Sequence, residues 1–374
     1  VSVVIDGGAD NTTSSSVTLM LSATDDQAVT NYYASESAVT PQAGDSGWDN
    51  FSTSVSFSFD NATAGTKTVN VWFKDAAGNV SGSVADTVQL IREKFTSEQI
   101  ATGREHTCVL KTDKTVQCWG RNNYGQSSVP TNLGLVSSIS LGRYHSCAIK
   151  ADKTVQCWGG NNNYESNVPN NLGTVRSIDA GQYHSCAIKT DETVQCWGSY
   201  APIPNNLGTV KSISIGQLHT CAVKTDETVQ CWDAISSSYS SVDPNIFAGN
   251  SVPSNLGTVK SISAGHYHNC VIKTDGVAQC WGYDSFGQNS IPSNLGTLTD
   301  IKAGGEHNCA IKNDGTAQCW GWGGRGQKNL PAELGTVRSI DTDYFHTCAI
   351  KTDGSAHCWG WDYYGQSSVP SDLQ

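Results

Sequence analysis

The chain has 374 residues, a net charge of −11 and no apolar stretch long enough to form a membrane-spanning helix. The acidic balance argues against a nucleic-acid partner, because a phosphate backbone is bound by clustered Lys and Arg side chains. We therefore expect neither nucleic-acid binding nor direct membrane insertion, and a signal peptide that is absent or already removed.

Residues 1–94 contain no cysteine and alternate apolar and polar side chains with the two-residue period of a half-buried strand. Five segments show this pattern: SVTLMLSAT, VTNYYASES, SVSFSFDN, KTVNVWFKD and DTVQLIRE. The pattern predicts a β-sandwich that is immunoglobulin-like in architecture, although the Cys…Trp…Cys spacing of antibody domains is missing. Asp25, Asp26, Asp75 and Asn79 could meet at one end as calcium ligands, and turn roles explain them equally well.

Residues 95–374 consist of seven repeats of about forty residues. The repeat at 258–296 reads TVKSISAGHYHNCVIKTDGVAQCWGYDSFGQNSIPSNLG, with three strand-like segments, a TDG turn and a short edge segment at Pro292. Three to four strands per unit predict an all-β, seven-bladed β-propeller with four-stranded blades, and a capped solenoid is the competing architecture. The segment 96–103, TSEQIATG, precedes the first repeat and is expected to complete the last blade and close the ring.

Each repeat carries two cysteines on neighbouring strands of one hairpin. A three-residue turn places them directly opposite each other, at a separation that suits a disulfide. The predicted pairs are Cys108–Cys118, Cys147–Cys157, Cys186–Cys196, Cys221–Cys231, Cys270–Cys280, Cys309–Cys319 and Cys348–Cys358. Such pairs indicate an oxidising, extracellular compartment, with zinc binding and free thiols as the alternatives. Gly276, Gly315 and Gly354 occupy the turn position expected to need a positive φ, where the first four repeats carry Lys or Glu.

A histidine and a tryptophan also recur at fixed positions in every repeat. The histidines are expected to be buried and bonded to a neighbouring loop, with metal binding or pH sensing as the alternative. The tryptophans are expected to pack between blades, with sugar stacking as the alternative. His266 and His357 lie outside this register and are predicted to be surface residues. The repeated residues are His106, His145, His184, His219, His268, His307 and His346, and Trp119, Trp158, Trp197, Trp232, Trp281, Trp320 and Trp359.

The repeats carry a family likeness. The pattern AGHYHNCVIKTDG…CWGYDSFGQ resembles the repeat of the regulator of chromosome condensation family, a β-propeller family. The GQSSVP endings at 125–130 and 365–370 are similar to those of secreted bacterial beta-lactamase inhibitors in the same superfamily, which implies enzyme inhibition as a function. The cysteine pairs depart from both patterns. In the front domain, GTKTVNVWFKDAAGNVS at 65–81 resembles the immunoglobulin-like modules of bacterial surface proteins.

The segments after each third strand differ between repeats, while the scaffold positions do not. Variable loops on a fixed scaffold commonly carry binding, and these loops are rich in Tyr, Trp, Asn, Ser and Gly. Ordinary solvated turns are the alternative. The predicted binding residues are Asn122, Asn123, Tyr124, Asn162, Asn163, Tyr164, Tyr200, Tyr239, Phe247, Tyr283, Phe286, Trp322, Arg325, Trp361, Tyr363 and Tyr364.

These patterns predict a secreted or cell-surface binding protein rather than an enzyme. The sequence shows no nucleophile elbow, P-loop, dinucleotide-binding glycine pattern or zinc-protease helix, so no catalytic residue, cofactor or metal site is assigned. We expect the partner to be a protein or glycan at a cell surface. Adhesion or surface scaffolding, inhibition of an enzyme, and self-assembly into an extracellular structure all remain open.

Overall fold

The computed structural model describes residues 1–26, 28–60, 65–90, 96–199, 203–233 and 249–374. The chain divides into two compact units, Val1–Lys94 and Phe95–Gln374. None of the described residues forms a helix long and apolar enough to cross a membrane.

The front unit consists of two β-sheets. One sheet has three strands in the order Ser2–Ile5, Ser16–Ser22 and Ser54–Ser58. The other has five strands in the order Asn11–Thr12, Val84–Leu90, Gly65–Asp75, Val29–Ser35 and Asp49–Asn50. All pairings are antiparallel except that of Asn11–Thr12 with Val84–Leu90. The five segments predicted from their alternation each contain a strand.

The two sheets of the front unit share one hydrophobic core. Val17, Leu19 and Leu21 of the first sheet are buried in the same cluster as Val69 and Val71 of the second. Residues between these positions point outward, as in the strand Ser16–Ser22, where buried and exposed side chains alternate strictly. This packing makes the front unit a β-sandwich.

Within the described residues, the second unit contains seven antiparallel sheets of three consecutive strands each. The first strands, which line the centre of the ring, are Ser97–Thr102, Val136–Leu141, Val175–Ala180, Val210–Ile215, Val259–Ala264, Leu298–Ala303 and Val337–Thr342. The second strands are His106–Lys111, His145–Lys150, His184–Lys189, His219–Lys224, His268–Lys273, His307–Lys312 and His346–Lys351. The third strands are Val116–Gly120, Val155–Gly159, Val194–Gly198, Val229–Asp233, Ala278–Gly282, Ala317–Gly321 and Ala356–Gly360. The unit is therefore a seven-bladed β-propeller.

The predicted fourth strand of each blade is wrong. Segments such as that around Pro130 make tight turns instead, in which the Leu133 N–H donates to the Pro130 carbonyl at 3.1 Å. Proline has no N–H group that could bond to a neighbouring strand. The N–H of Leu133 is used within the turn and is therefore not available to a neighbouring strand either. Leu133 itself is buried between blades 1 and 2, so the segment is anchored by its side chain rather than by a ladder.

Closure of the ring also differs from the prediction. The strand Ser97–Thr102 pairs with the second strand of the first blade and does not complete the last blade, which has its own first strand, Val337–Thr342. Side-chain and backbone contacts join the two blades instead. The Thr102 N–H donates to Asp341 Oδ2 at 2.7 Å, and the Ser97 N–H donates to the Gly354 carbonyl at 3.0 Å.

Each blade holds one disulfide, as predicted. The two cysteines face each other across the second and third strands, with Cα atoms 4.0–4.1 Å apart, in all seven hairpins. Gly276, Gly315 and Gly354 have φ values of 84°, 82° and 88° in the hairpin turns. Lys114, Lys153, Glu192 and Glu227 adopt the same left-handed conformation, with φ of 67–69°.

The repeated histidines form a ring of bonds between blades, which confirms their structural role. His145 Nε2 lies 2.8 Å from Ser185 Oγ of the next blade, and that hydroxyl donates to the Glu165 carbonyl. Because the serine proton is used there, His145 donates from Nε2. The last link, from His346 to Thr107 at 2.9 Å, joins blade 7 to blade 1. Burial lowers the pKa of every ring residue to about 3 or 4.

The repeated tryptophans fill the space between blades, as predicted. Trp158 packs against Leu133 and Val136, and its Nε1 donates to the Gln126 carbonyl of the preceding blade at 3.0 Å. Trp119, Trp197, Trp281, Trp320 and Trp359 donate in the same way. A buried ring whose polar edge is bonded to backbone is unavailable for stacking on a sugar.

Candidate binding face of the propeller

One end of the propeller, here called the upper face, carries two sets of segments. Antiparallel pairing brings the turns before the repeated histidines and the variable loops after the third strands to the same end of each blade. Backbone bonds join the two sets: the Trp361 N–H donates to the Phe345 carbonyl at 2.9 Å, and the Arg121 N–H to the Glu105 carbonyl at 2.8 Å. The hairpin turns that contain Lys114 and Gly276 lie at the opposite end, the lower face.

Part of each variable loop belongs to the scaffold. Gln126 is fully buried; its Oε1 accepts from the Tyr124 N–H at 3.0 Å, and its carbonyl receives the Trp158 and Ser146 donors of blade 2. Gln288, Gln327 and Gln366 repeat the arrangement, and Glu165 replaces them in blade 2. This buried residue fixes the loop backbone and leaves the side chains before it at the surface.

Aromatic side chains from these loops and from the turns before the repeated histidines form a continuous series across the upper face, here called the aromatic arc. Its rings contact one another in the order Tyr283, Phe286, Trp322, Phe345, Trp361, with centroids 5.1–6.4 Å apart. The series continues to Tyr363 and Tyr364, of which Tyr363 stacks on Trp361 at an interplanar angle of 16°. Rings at these distances attract one another and hold a fixed surface.

Arginines extend the aromatic arc into blades 1 and 2. The Arg121 guanidinium lies 4.9 Å from the Tyr364 ring and 5.6 Å from the Tyr144 ring, and Tyr124 contacts Tyr144 at 5.0 Å. Glu105 pairs with Arg121 and fixes its orientation. Arg325 lies over the Trp361 ring at 5.4 Å. Guanidinium groups over aromatic faces add a cation–π attraction that holds both partners in place.

The aromatic arc contains half of the residues predicted to bind. Tyr363 is 75% exposed, Tyr124 45% and Phe286 42%; Arg325 is also exposed, and the other members are half-buried. The predicted residues that the structure brings together are Tyr124, Tyr283, Phe286, Trp322, Arg325, Trp361, Tyr363 and Tyr364.

The other predicted residues lie elsewhere. Asn122 is exposed, but its amide bonds within the loop, to the Ser127 N–H and to Ser128 Oγ. Asn123 and Asn162 are exposed, and Asn163 is half-buried. Tyr164 is 69% exposed and has a φ of 62°. The remaining three, Tyr200, Tyr239 and Phe247, lie outside the described residues.

Sequence reasoning missed the turns before the repeated histidines, which supply Tyr144, Phe345 and Tyr344. The signal was present, since this two-residue position reads Arg-Glu, Arg-Tyr, Gln-Tyr, Gln-Leu, His-Tyr, Gly-Glu and Tyr-Phe along the seven repeats. His266, predicted to be a surface residue, is half-buried here with its ring centroid 4.0 Å from that of Tyr344. His357 is also half-buried, on a third strand opposite Ala349.

A cavity of about 350 Å³ runs between the first strands of all seven blades. Its lining includes Asp179, Asp341 and Lys302. Burial raises the pKa of Asp179 to about 6 and also raises that of Asp341, while Asp300 raises the pKa of Lys302. Both carboxylates accept backbone N–H donors, from Ile215 and Thr102. They therefore link first strands of different blades, which explains them without a catalytic role.

No group of three His, Cys, Asp or Glu side chains in the described residues is arranged to hold a metal ion. Of the four candidate calcium ligands, Asp75 and Asn79 bond to each other: Asn79 Nδ2 donates to Asp75 Oδ2 at 2.7 Å. The Ala77 and Asn79 N–H groups donate to Asp75 Oδ1. The hydrogen bond from the Asn79 side chain, together with these backbone bonds, lowers the pKa of Asp75. This is a turn capped by an aspartate.

Six segments of the second unit match the family described as "Regulator of chromosome condensation (RCC1) repeat". They are residues 98–126, 136–165, 175–199, 259–288, 298–327 and 337–366. The second unit is an RCC1-like β-propeller. The matched segments begin in each first strand and most extend to the buried glutamine or glutamate of the loop; the repeat that contains Cys221 and Cys231 is not matched.

Solved structures show the same fold. The ectodomain of the receptor kinase CR4 from Physcomitrella patens has a TM-score of 0.60 and 23% identity, over 72% of this chain and 75% of that one. The CRINKLY WD40 ectodomain of the receptor kinase ACR4 from Arabidopsis thaliana has a TM-score of 0.60 and 24% identity, over 75% and 100%. Prp20p from Saccharomyces cerevisiae has a TM-score of 0.55 and 16% identity, over 75% and 85%. No curated protein matches the sequence.

Proposed function

We propose that this chain is a non-enzymatic, extracellular binding protein that recognises a protein partner through the aromatic arc of the RCC1-like propeller. The observation that carries the proposal is the continuous series of ring contacts from Tyr283 through Trp361 to Tyr364, extended by Arg121 to Tyr144. Clustered exposed aromatic side chains are uncommon on a surface without a partner. Trp, Tyr and Arg are also the residues that dominate the energy of protein–protein interfaces.

Several features support the remaining parts of the proposal. Seven disulfides suit an oxidising compartment outside the cell. Similar propellers form the ectodomains of plant receptor kinases. The carboxylates of the central cavity serve as acceptors between strands, which supports a function without catalysis.

The front unit completes this proposal as an immunoglobulin-like spacer of a bacterial surface protein. Its two β-sheets around one core and the resemblance of residues 65–81 to such modules support this role. Adhesion or surface scaffolding is then the biological task of the whole chain. The rival task, inhibition of an enzyme such as a beta-lactamase, rests on the GQSSVP loop endings.

A capture experiment with the whole chain as bait tests the aromatic arc. A protein isolated from the native cell surface is titrated by biolayer interferometry against the wild type and a Trp361→Ala/Tyr363→Ala/Tyr364→Ala variant. We expect at least a hundredfold weaker binding, since three central aromatics cost about 3 kcal/mol or more together. The matched control is Leu135→Ala, which removes a 57% exposed apolar side chain before the first strand of blade 2 and away from the arc; it should bind within twofold of the wild type.

Two outcomes contradict the proposal. Unchanged binding by the folded triple variant means that the arc is not the recognition surface. Binding to a glycan array, with no protein captured, means that the class of partner is wrong. Nanomolar inhibition of a purified enzyme supports the inhibitor task over adhesion.

A further inference from the structure

Inside the aromatic arc, the central cavity opens at the upper face through a ring of polar side chains, here called the channel mouth. They occupy the first position of the turns before the repeated histidines: Arg104, Arg143, Gln182, Gln217, His266 and Tyr344. Backbone bonds between neighbouring turns fix the ring, as when the His266 N–H donates to the Gly304 carbonyl at 3.1 Å and the Arg143 N–H to the Gly181 carbonyl at 3.2 Å.

The channel mouth holds buried polar atoms that lack a hydrogen-bond partner among the described residues. They are Nε of Arg104 and Arg143, Nε2 of Gln182, Nδ1 of His266 and Oε1 of Gln217. Gln182 is only 7% exposed and lines the cavity. Most of these atoms are donors or can become donors, and a buried donor without an acceptor costs free energy. The mouth therefore lacks an acceptor.

The two guanidinium groups are held in place without a carboxylate. Arg104 lies 4.5 Å from the Tyr344 ring and Arg143 lies 4.7 Å from the Tyr144 ring. In the described part of the chain, neither makes an ion pair within 4.0 Å. Burial lowers the pKa of His266, and the charges of Arg104 and Arg143 lower it further.

We propose that the channel mouth binds a carboxylate group, supplied by an acidic side chain or chain terminus of the partner that lies on the aromatic arc. A carboxylate accepts several charge-assisted hydrogen bonds at once, as the unpartnered donors of Arg104, Arg143 and Gln182 require. A doubly charged phosphate fits less well, because Asp343 lines the same cavity and the chain carries a net charge of −11. The identity of the occupant as part of a partner rests on the proposed function.

Asp343 also lines the cavity, and it leaves the mouth positive. Burial raises the pKa of Asp343 to about 7, with Asp341 adding to the rise and Arg104 and Arg143 opposing it. Because Asp343 is partly protonated near neutral pH, it neutralises only part of the positive charge of Arg104 and Arg143.

Titration of the whole chain with small carboxylates tests the inference without the partner. The probes are sodium acetate and N-acetyl-aspartyl amide, added to ¹⁵N-labelled protein at constant ionic strength with sodium chloride as the reference. We expect saturable shifts of the Arg Nε–H signals of the mouth, at least tenfold weaker in Arg143→Gln. The control Lys260→Gln removes the same charge from an exposed position outside the cavity lining and should titrate as the wild type does.

The arms of the experiment separate the possible failures. No saturable shift, or the same shift with chloride, overturns the carboxylate site; tighter binding of inorganic phosphate overturns the choice of a singly charged ligand. Gln182→Leu removes a donor without changing the charge, so unchanged binding in both Gln182→Leu and Arg143→Gln also overturns it. The triple arc variant should still bind acetate, so loss of partner binding there with normal acetate binding isolates the arc from the mouth.

Discussion

The two units of this chain bury their apolar side chains in different ways. The front sandwich has one core, to which both sheets contribute, and no cysteine. The propeller divides its core into seven clusters, each centred on the contact between two blades. A small cluster buries little area, so each blade adds an internal disulfide and a histidine bond to its neighbour. Six of the repeated tryptophans in the described residues add a further bond to the preceding blade. A divided core depends on cross-links that a continuous core does not need.

Reduction of the disulfides should have the largest effect, because it should destabilise the propeller and leave the front unit, which has no cysteine, unchanged. A ten-residue loop contributes about 2–3 kcal/mol per disulfide, and seven together are at least comparable with the 5–15 kcal/mol typical of a whole domain. Calorimetry with and without a reducing agent should show the propeller transition lost and the front-unit transition unchanged. A propeller transition that survives complete reduction, verified by mass spectrometry, would contradict the role given to the cross-links.

Acid should separate the two units next. All nine histidines lie in the propeller, and burial lowers the pKa of the seven ring histidines from 6.5 to about 3 or 4. Below pH 6.5 these histidines bind protons in the unfolded chain but stay neutral in the folded propeller. The free energy of unfolding therefore falls between pH 6.5 and about 4. Asp179 and Asp343, with raised pKa values, oppose this loss but are fewer.

Chemical denaturation at stepped pH measures this difference. The propeller should lose stability over that interval, while the front unit, without histidine and with a lowered pKa at Asp75, should hold until lower pH. Equal acid sensitivity of the two transitions would rule out the histidine ring as the cause.

A single link of the ring should matter less than the whole ring. His145→Ala removes a fully buried ring and leaves the Ser185 hydroxyl without its donor, at an expected cost of about 3 kcal/mol. His357→Ala, at a half-buried position outside the ring, is the matched control and should cost under about 1 kcal/mol. Urea unfolding at pH 7 compares them, and equal losses would argue against the inter-blade bond.

Substitutions in the hairpin turns should change the stability of the propeller least. Lys153 has a φ of 67° where blade 5 has Gly276 with a φ of 84°. A left-handed conformation costs a non-glycine residue about 1 kcal/mol, so Lys153→Gly should stabilise the propeller by up to that amount. Gly276→Lys should destabilise it, since a Cβ there lies 3.2 Å from Thr297 Cβ. Thermal unfolding that moves in the opposite direction for either variant would refute this reading of the turns.

The disulfides, the buried histidines and the packed tryptophans were predictable because the same residues recur at the same positions in all seven repeats. Cys270–Cys280, His268 and Trp281 were assigned to the scaffold on that ground, and the structure places them there. The fourth strand was predicted wrongly because the Leu133 N–H bonds within its own turn, to the Pro130 carbonyl. The alternation of apolar and polar residues in the sequence does not distinguish such a turn from a short edge strand. Ring closure was misassigned because sequence order does not say which blade an inner strand joins.

The upper face could be predicted only in part. The loops were identified by their variation, but residues as distant in sequence as Arg121 and Tyr364 meet because the ring closes. The turns that carry Arg104 and Arg143 are two residues long and were overlooked beside the longer loops. Their importance comes from convergence on the central axis, which depends on the assembled fold.

Hydrogen–deuterium exchange of the whole chain, with and without a captured partner, locates the recognition surface. We expect protection at the loops 283–288, 322–327 and 361–366 and at the turn that contains Tyr344 and Phe345. The lower-face hairpin turns and the front unit should exchange as in the free protein. Protection confined to the hairpin turns or to the front sandwich would rule out recognition by the aromatic arc.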